Sequence, residues 1–211
     1  AINNWIDNNF TYKFNKYGFR CEEFTDEENN SIVSLGCSYT IGIGLPYEKT
    51  FGYNVANNLG LRNYNLGIGG GSMDSIFRLG HFWIPRLKPK LVILLQPFKS
   101  RMELITNGRV KQFLPNILDE NSNNDPLYKE WVRDDNNLNL NYKKNLMALK
   151  YVCHTNDVKL IILNIKDFPL IKDDWARDAQ VQKDGSVFGH YGVKWQLSIS
   201  DNILNKIGNS N

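Results

Sequence analysis

The stretch "SIVSLGCSYTIGIGLP", residues 31–46, decides how the chain is read. Residues 31–36 are apolar enough and short enough for a buried strand. Ser38 follows at once, and Gly42 and Gly44 make the backbone after it pliable. Two readings compete. The turn simply needs glycine, or it holds a nucleophilic serine at the rim of a sheet.

Working outward, apolar runs of strand length alternate with segments of helical period. Residues 48–60 read as a helix closed by Gly60, and 63–68 as a short second strand. Residues 72–88 read as a helix with Ser72 as N-cap and Pro85 limiting its end. "KLVILLQ" (90–96) is an unbroken apolar run, as expected of a central parallel strand covered on both faces. Residues 107–128 read as a polar surface excursion with a helical piece. Tyr142, Leu146, Leu149 and Cys153 line one face of a helix over 142–157, and 158–165 is the fourth strand. Trp195, Ile199, Ile203 and Ile207 mark an amphipathic C-terminal helix. This alternation predicts a three-layer α/β domain over 31–211, with a parallel sheet of about five strands between helices. Residues 1–30 read as an added strand or hairpin packed on that core.

The formal charge of +3 over 211 residues is small, and no basic run forms a nucleic-acid footprint. Three cysteines, Cys21, Cys37 and Cys153, stand far apart without a C-x-x-C pair. A zinc site and a disulfide framework are therefore not expected, and a reducing, cytoplasm-like compartment is. The opening "AINNWIDNNF" has neither the basic nor the apolar region of a signal peptide, and no run reaches membrane-spanning length. No cofactor is implied.

In open α/β sheets, sites form beyond the carboxyl ends of the strands. Ser38 follows the first strand, "NLGIGGGS" (65–72) follows the second, and "DGSVFGHYG" with His190 precedes the last helix. Each has a bland reading. Ser38 serves as a helix cap, the glycines form a phosphate-cradling loop, and His190 is a surface or capping residue. G-x-G-x-x-G fails because Ser72 takes the third place. Together the three supply what acyl transfer needs. A serine is a weak nucleophile until a histidine accepts its proton, a carboxylate holds that histidine's tautomer, and backbone N–H groups receive the oxyanion.

Here the chain resembles the GDSL, or SGNH, hydrolases. "LGCSYTIGIG" resembles the family's first block: Gly36, Ser38, Thr40 and Gly42 match, and Cys37 replaces the usual Asp. "NYNLGIGGGSMDSI" resembles the second block through Asn65, Gly67, Gly70 and Ser72, with Met73 at the often-Asn place. "GHYGVKWQ" resembles the last block through His190 and Gly192. The resemblance implies a flavodoxin-like sandwich and hydrolysis of esters or thioesters through an acyl-serine. It makes Ser38 the nucleophile and His190 the base, with the N–H groups of Ser38 and Gly70 in the oxyanion hole beside Cys37.

Two departures stand out. The third block, Gly-x-Asn-Asp, is missing, and the loop after the third strand reads "QPFKSRME", leaving Gln96 or Arg101 to replace its Asn donor. Losing one such donor typically costs about a hundred- to thousand-fold in rate. The family's Asp three residues before the His falls on Val187. Asp178 and Asp184 are the candidates instead. "ARD" followed by His-x-Gly favours Asp178 with an outward-bulging insertion, while "KDGS" around Asp184 reads as a solvent-facing turn.

Three functions follow as hypotheses: a serine esterase acting on a small acyl ester or an O-acetylated sugar, a weakened relative serving as a binding or structural module, and a nucleotide-binding flavodoxin-like domain. Phe98, Trp131, Trp175 and Phe188 either line an acyl or sugar pocket or pack the core and a lid.

Overall fold

The computed structural model describes residues 10–114, 126–181 and 187–209. Its centre is a parallel sheet of β1 (Ser31–Leu35), β2 (Arg62–Asn65), β3 (Leu91–Gln96) and, numbered in chain order, β6 (Lys159–Asn164), in the spatial order β2-β1-β3-β6. That is the beginning of the flavodoxin-like order, in which the first strand sits inside the second. Residues Ile32–Leu35 pair with Leu91–Leu94, and Leu91–Gln96 with Lys159–Asn164. The sequence led to about five strands. Among the described residues the sheet has four, because no apolar run of strand length follows β6.

The unbroken apolar strands are explained by a period of two with both faces covered. Ile32, Leu91, Ile93 and Leu95 face one side, with Phe51, Val55, Trp195, Ile199 and Ile203 packed on them. Those partners come from α2 (Phe51–Asn58) and α6 (Val193–Gly208). Val33, Leu35, Val92 and Leu94 face the other side, under Ile76, Leu79, Ile84 and Leu149. These belong to α3 (Met73–Leu87) and α5 (Asp135–Thr155). Burying each such side chain contributes about 1.5–3 kcal/mol before entropy is counted. The result is an α/β/α sandwich.

Several boundaries differ from the sequence reading. The helix expected from residue 48 opens as a 3-10 turn, Tyr47–Lys49, and α2 starts only after Thr50, whose hydroxyl accepts from Tyr53 N at 3.4 Å. Pro85 lies inside α3, which runs on to Leu87 before Lys88 turns left-handed. The excursion after residue 107 is partly a hairpin: β4 (Met102–Thr106) pairs antiparallel with β5 (Arg109–Phe113). Asn107 and Gly108, both at positive φ (50° and 71°), form its two-residue turn. Asn-Gly is a strong hairpin signal, and its period of two was masked by the surrounding polar residues. A short helix, α4 (Pro126–Arg133), precedes α5.

The N-terminal segment is not the expected strand or hairpin over its described part, residues 10–30. Turns organise it, with Asn15 Oδ1 accepting from Tyr17 N and Phe19 N at 3.0 Å each. No helix among the described residues is long and apolar enough to cross a membrane.

Candidate active site

Chain direction brings the carboxyl ends of β1, β2 and β3 to one edge, and the loops leaving them meet there. After β1, Cys37 caps a four-residue helix, α1 (Ser38–Ile41), so Ser38 is the first helical residue and not the cap. Gly42 closes α1 in the left-handed region at φ 76°. The loop after β2 folds onto this turn. Asn65 Nδ2 donates to Thr40 O at 2.7 Å, and Ile68 N donates to Gly36 O at 3.1 Å. Gly70, at φ 70°, lies against the β4–β5 hairpin: a Cβ there would meet Leu114 at 2.9 Å and Gln112 Oε1 at 3.2 Å. The following Ser72 caps α3 through a capping box with Ser75. Glu103 of the hairpin bonds Ser75 Oγ at 2.6 Å and Arg78 Nε at 2.6 Å, which fastens the hairpin beside the glycine loop.

The other half of the site is built by a second hairpin. β7 (Gln180–Val181) and β8 (Val187–Phe188) pair antiparallel, Trp175 bridges to Tyr191, and Ala176 N donates to His190 O at 2.8 Å. These two arms fold the twelve-residue separation back on itself. His190 Nδ1 then stands 2.5 Å from Asp178 Oδ2. In the neutral imidazole this arrangement puts the proton on Nδ1, donated to the carboxylate, and leaves Nε2 as an acceptor. Oδ1 of Asp178 is buried and has no hydrogen-bond partner among the described residues. Asp184 lies outside the described residues, as does the side chain of Phe188.

The two halves touch through Tyr39, the residue after Ser38. Its ring meets the His190 ring edge-on at 4.9 Å and packs against Tyr191 and Trp195 at 5.3 and 5.4 Å. Gln196, buried on α6, donates from Nε2 to Tyr39 O and accepts from Phe51 N. Ser38 Oγ itself makes no hydrogen bond among the described residues, to His190 or to any other group. Asp174 is committed elsewhere: its carboxylate accepts from Lys194 N at 3.2 Å and Trp195 N at 2.7 Å, and so caps α6.

The turn after Ser38 is held from behind by Arg20, which the sequence reading missed. The buried guanidinium donates to the carbonyls of Ile41 (2.9 Å), Gly42 (2.6 Å) and Leu45 (2.6 Å), and lies 4.2 Å from the centre of the Tyr12 ring. Burial pushes Arg20 below its ordinary value, while Tyr12, Glu48 and Tyr47 oppose this. Tyr12 Oη accepts from Gly44 N at 2.6 Å. No local pattern announces a residue whose partners lie twenty positions on.

Of the two candidates for the missing Asn, Gln96 is a buried end residue of β3, paired there with Asn164. Arg101 follows in the loop, half-buried, 4.9 Å from the centre of the Phe98 ring. Trp131 stacks on Tyr128, and Trp175 packs against Tyr191 with the rings tilted by 52°. Among the described residues no group of three or more His, Cys, Asp or Glu could hold a metal.

Fold and edge residues together define an α/β/α domain with a Ser/His/Asp set at the carboxyl edge of its sheet. No protein-family model matches the chain, and no curated protein does. Among solved structures it is similar to a member of the lipolytic protein G-D-S-L family from Veillonella parvula, at 15% identity over 83% of this chain and 96% of that one, with a TM-score of 0.39. It is also similar to the psychrotrophic esterase EstA from Pseudoalteromonas sp., at 13% identity over 85% and 97%, with a TM-score of 0.42. An acetyl xylan esterase, Est2A, from Butyrivibrio proteoclasticus matches at 10% identity over 88% of this chain and 65% of that one, with a TM-score of 0.47.

Proposed function

We propose that the chain is a serine ester hydrolase of the SGNH type, acting on a small acyl ester or an O-acetylated sugar. The observation that carries this reading is the 2.5 Å contact between His190 Nδ1 and Asp178 Oδ2, formed beside the turn that starts at Ser38. A carboxylate so placed fixes the tautomer in which Nε2 can take a proton.

In the proposed reaction, Ser38 Oγ attacks the ester carbonyl while its proton passes to Nε2 of His190. The hydrogen bond between these two atoms forms as substrate fills the site, since such bonds are often long in empty enzymes. The N–H groups of Ser38 and Gly70 receive the negative oxygen of the tetrahedral intermediate. Collapse expels the alcohol, which leaves with the proton from His190, and an acyl-serine remains. Water then attacks with His190 again as base, releasing the acid and free Ser38. The positive-φ glycines Gly42, Gly44 and Gly70 let the turns of this edge close tightly on Thr50, Asp178 and Leu114, which fixes the loops that carry the reacting groups.

A second reading is a weakened relative that binds without turnover. The β3–β4 loop, which offers no Asn donor, favours it. The test is to expose the protein to a fluorophosphonate and locate the modified residue, with hydrolysis of 4-nitrophenyl acetate in parallel. Labelling at Ser38, abolished together with turnover in Ser38→Ala, is the expected result. A folded protein showing neither reaction would leave only the binding reading.

A further inference from the structure

Arg101 stands apart from the other buried or half-buried arginines. Arg20 donates from Nη1 and Nη2 to three carbonyls, with only its Nε left without a partner among the described residues, and Arg78 is paired with Glu103 at 2.6 Å, which raises its pKa. The neighbouring Lys99 donates to Asn139 Oδ1 at 2.8 Å. Arg101 has no carboxylate within ion-pair reach and no side-chain hydrogen bond among the described residues, and its Nη1 is buried without a partner. A guanidinium is always charged, and native structures rarely leave a buried donor unused.

Its position matters as much as its isolation. It closes the loop of residues 97–101 that follows β3, the strand beside β1, whose end leads to Ser38. The strands run in register as far as Leu35 and Leu94, and a Cβ at Gly36 would stand 2.9 Å from Leu95 O. Arg101 lies within electrostatic reach of two tyrosines: burial first, then Tyr191 and Cys37, raise the Tyr39 hydroxyl, and burial raises that of Tyr128 on α4, with Arg101 opposing both. Exposed Phe98, whose ring faces the guanidinium, gives the same spot an apolar wall.

We infer that Arg101 is an anion-recognition residue and that the substrate is an ester carrying a carboxylate close to the scissile bond. A planar guanidinium matches a carboxylate in bidentate fashion, and a charge-assisted pair in a half-buried site is stronger than a neutral one. A long side chain stacked on a loop aromatic suits a ligand's own charge better than a transient oxyanion, which needs donors fixed in advance. This inference rests on the esterase reading, because it names the substrate class of that same site.

The experiment compares paired esters on the intact protein. Mono-4-nitrophenyl succinate is set against 4-nitrophenyl butyrate for a charge on the acyl side, and 4-acetoxybenzoate against phenyl acetate for a charge on the alcohol side. In the wild type, one charged ester should exceed its neutral partner by about tenfold or more in kcat/KM, and the preference should shrink with added salt. Arg101→Gln should collapse that ratio towards one, and Arg101→Lys should keep part of it. No preference in either pair would overturn the inference. So would an equal loss on charged and neutral esters in Arg101→Gln, which would assign Arg101 to the oxyanion.

If no ester is turned over, binding of monomethyl succinate to the Ser38→Ala protein, followed by NMR, separates the two ideas. Saturable binding that disappears when Arg101→Gln is added keeps the anion site and removes only the esterase reading. Absence of binding at millimolar concentration removes the anion site.

Discussion

Gly44 and Asp178 are packed so closely that a Cβ on Gly44 would stand 2.6 Å from Asp178 Oδ1, 2.9 Å from Ala176 Cβ and 2.9 Å from Arg177 N. The glycine is also at φ 76°, and its carbonyl accepts from Arg177 N at 3.0 Å. The pliable turn after Ser38 therefore has a second purpose: it leaves room for the carboxylate that holds His190. Gly44→Ala should lower turnover of 4-nitrophenyl acetate by orders of magnitude and also reduce stability. Gly60→Ala is the control, since Gly60 has φ 66° with nothing within 4 Å of its added Cβ. That control should show only the left-handed backbone cost of about 1–2 kcal/mol. Equal behaviour of the two variants in activity assays and thermal melts would detach Gly44 from the site.

Asp178→Asn should cut turnover by about four orders of magnitude, because the amide stabilises the wrong imidazole tautomer while leaving the geometry in place. The same change at Asp184 should do little. Steady-state rates on one short ester decide between them, and a large loss at Asp184 alone would transfer the carboxylate role.

Arg20→Ala should destabilise the fold by about 3 kcal/mol, since hydrogen bonds from a charged donor contribute about 1.5–3 kcal/mol each and desolvation offsets part of that. For a domain of this size the melting temperature should fall by about 6–12 °C. Arg20→Lys should recover only part of the loss, because one ammonium cannot match a fork that reaches three carbonyls. Calorimetry of the three proteins measures this. An unchanged melting temperature would show that the turn after Ser38 stands without its staple.

The free cysteines, Cys21, Cys37 and Cys153, are all buried. Desolvation pushes the Cys21 thiol up to about 12 and Cys153 up to about 11. Native protein at pH 8 should therefore not react with Ellman's reagent, and three thiols should appear in denaturant. The sign for stability follows. The unfolded thiol ionises near pH 9 while folded Cys153 stays protonated, so its contribution is complete below about 9 and is lost between about 9 and 11. Melts across pH 8–11 check this, and Cys153→Ala should flatten part of the decline. Rapid native labelling at pH 8 would contradict the burial argument.

The sheet was legible because its signal is local. Apolar runs at 31–36, 90–96 and 158–165 and the helical stripe ending at Ile207 need no distant partner to be recognised. Ser38, the glycine loop and His190 were legible for a related reason: each sits where a strand or helix changes direction, and such places carry distinctive residues. The β4–β5 hairpin was also written locally, in Asn107-Gly108, though its polar strands hid it.

Other features belong to tertiary structure alone. Twelve residues separate Asp178 from His190, and only the antiparallel arms of β7 and β8 decide that they meet. The linear order names several acidic residues in that loop and cannot say that Asp174 is consumed in capping α6. Arg20 beneath the turn after Ser38, and the Arg101 guanidinium without an ion-pair partner among the described residues, are likewise invisible in one dimension. A hydrophobic period repeats within a few residues and so leaves a trace in the sequence. A buried polar contact depends on one partner far along the chain, and that partner is chosen only when the loops come together at the sheet's edge.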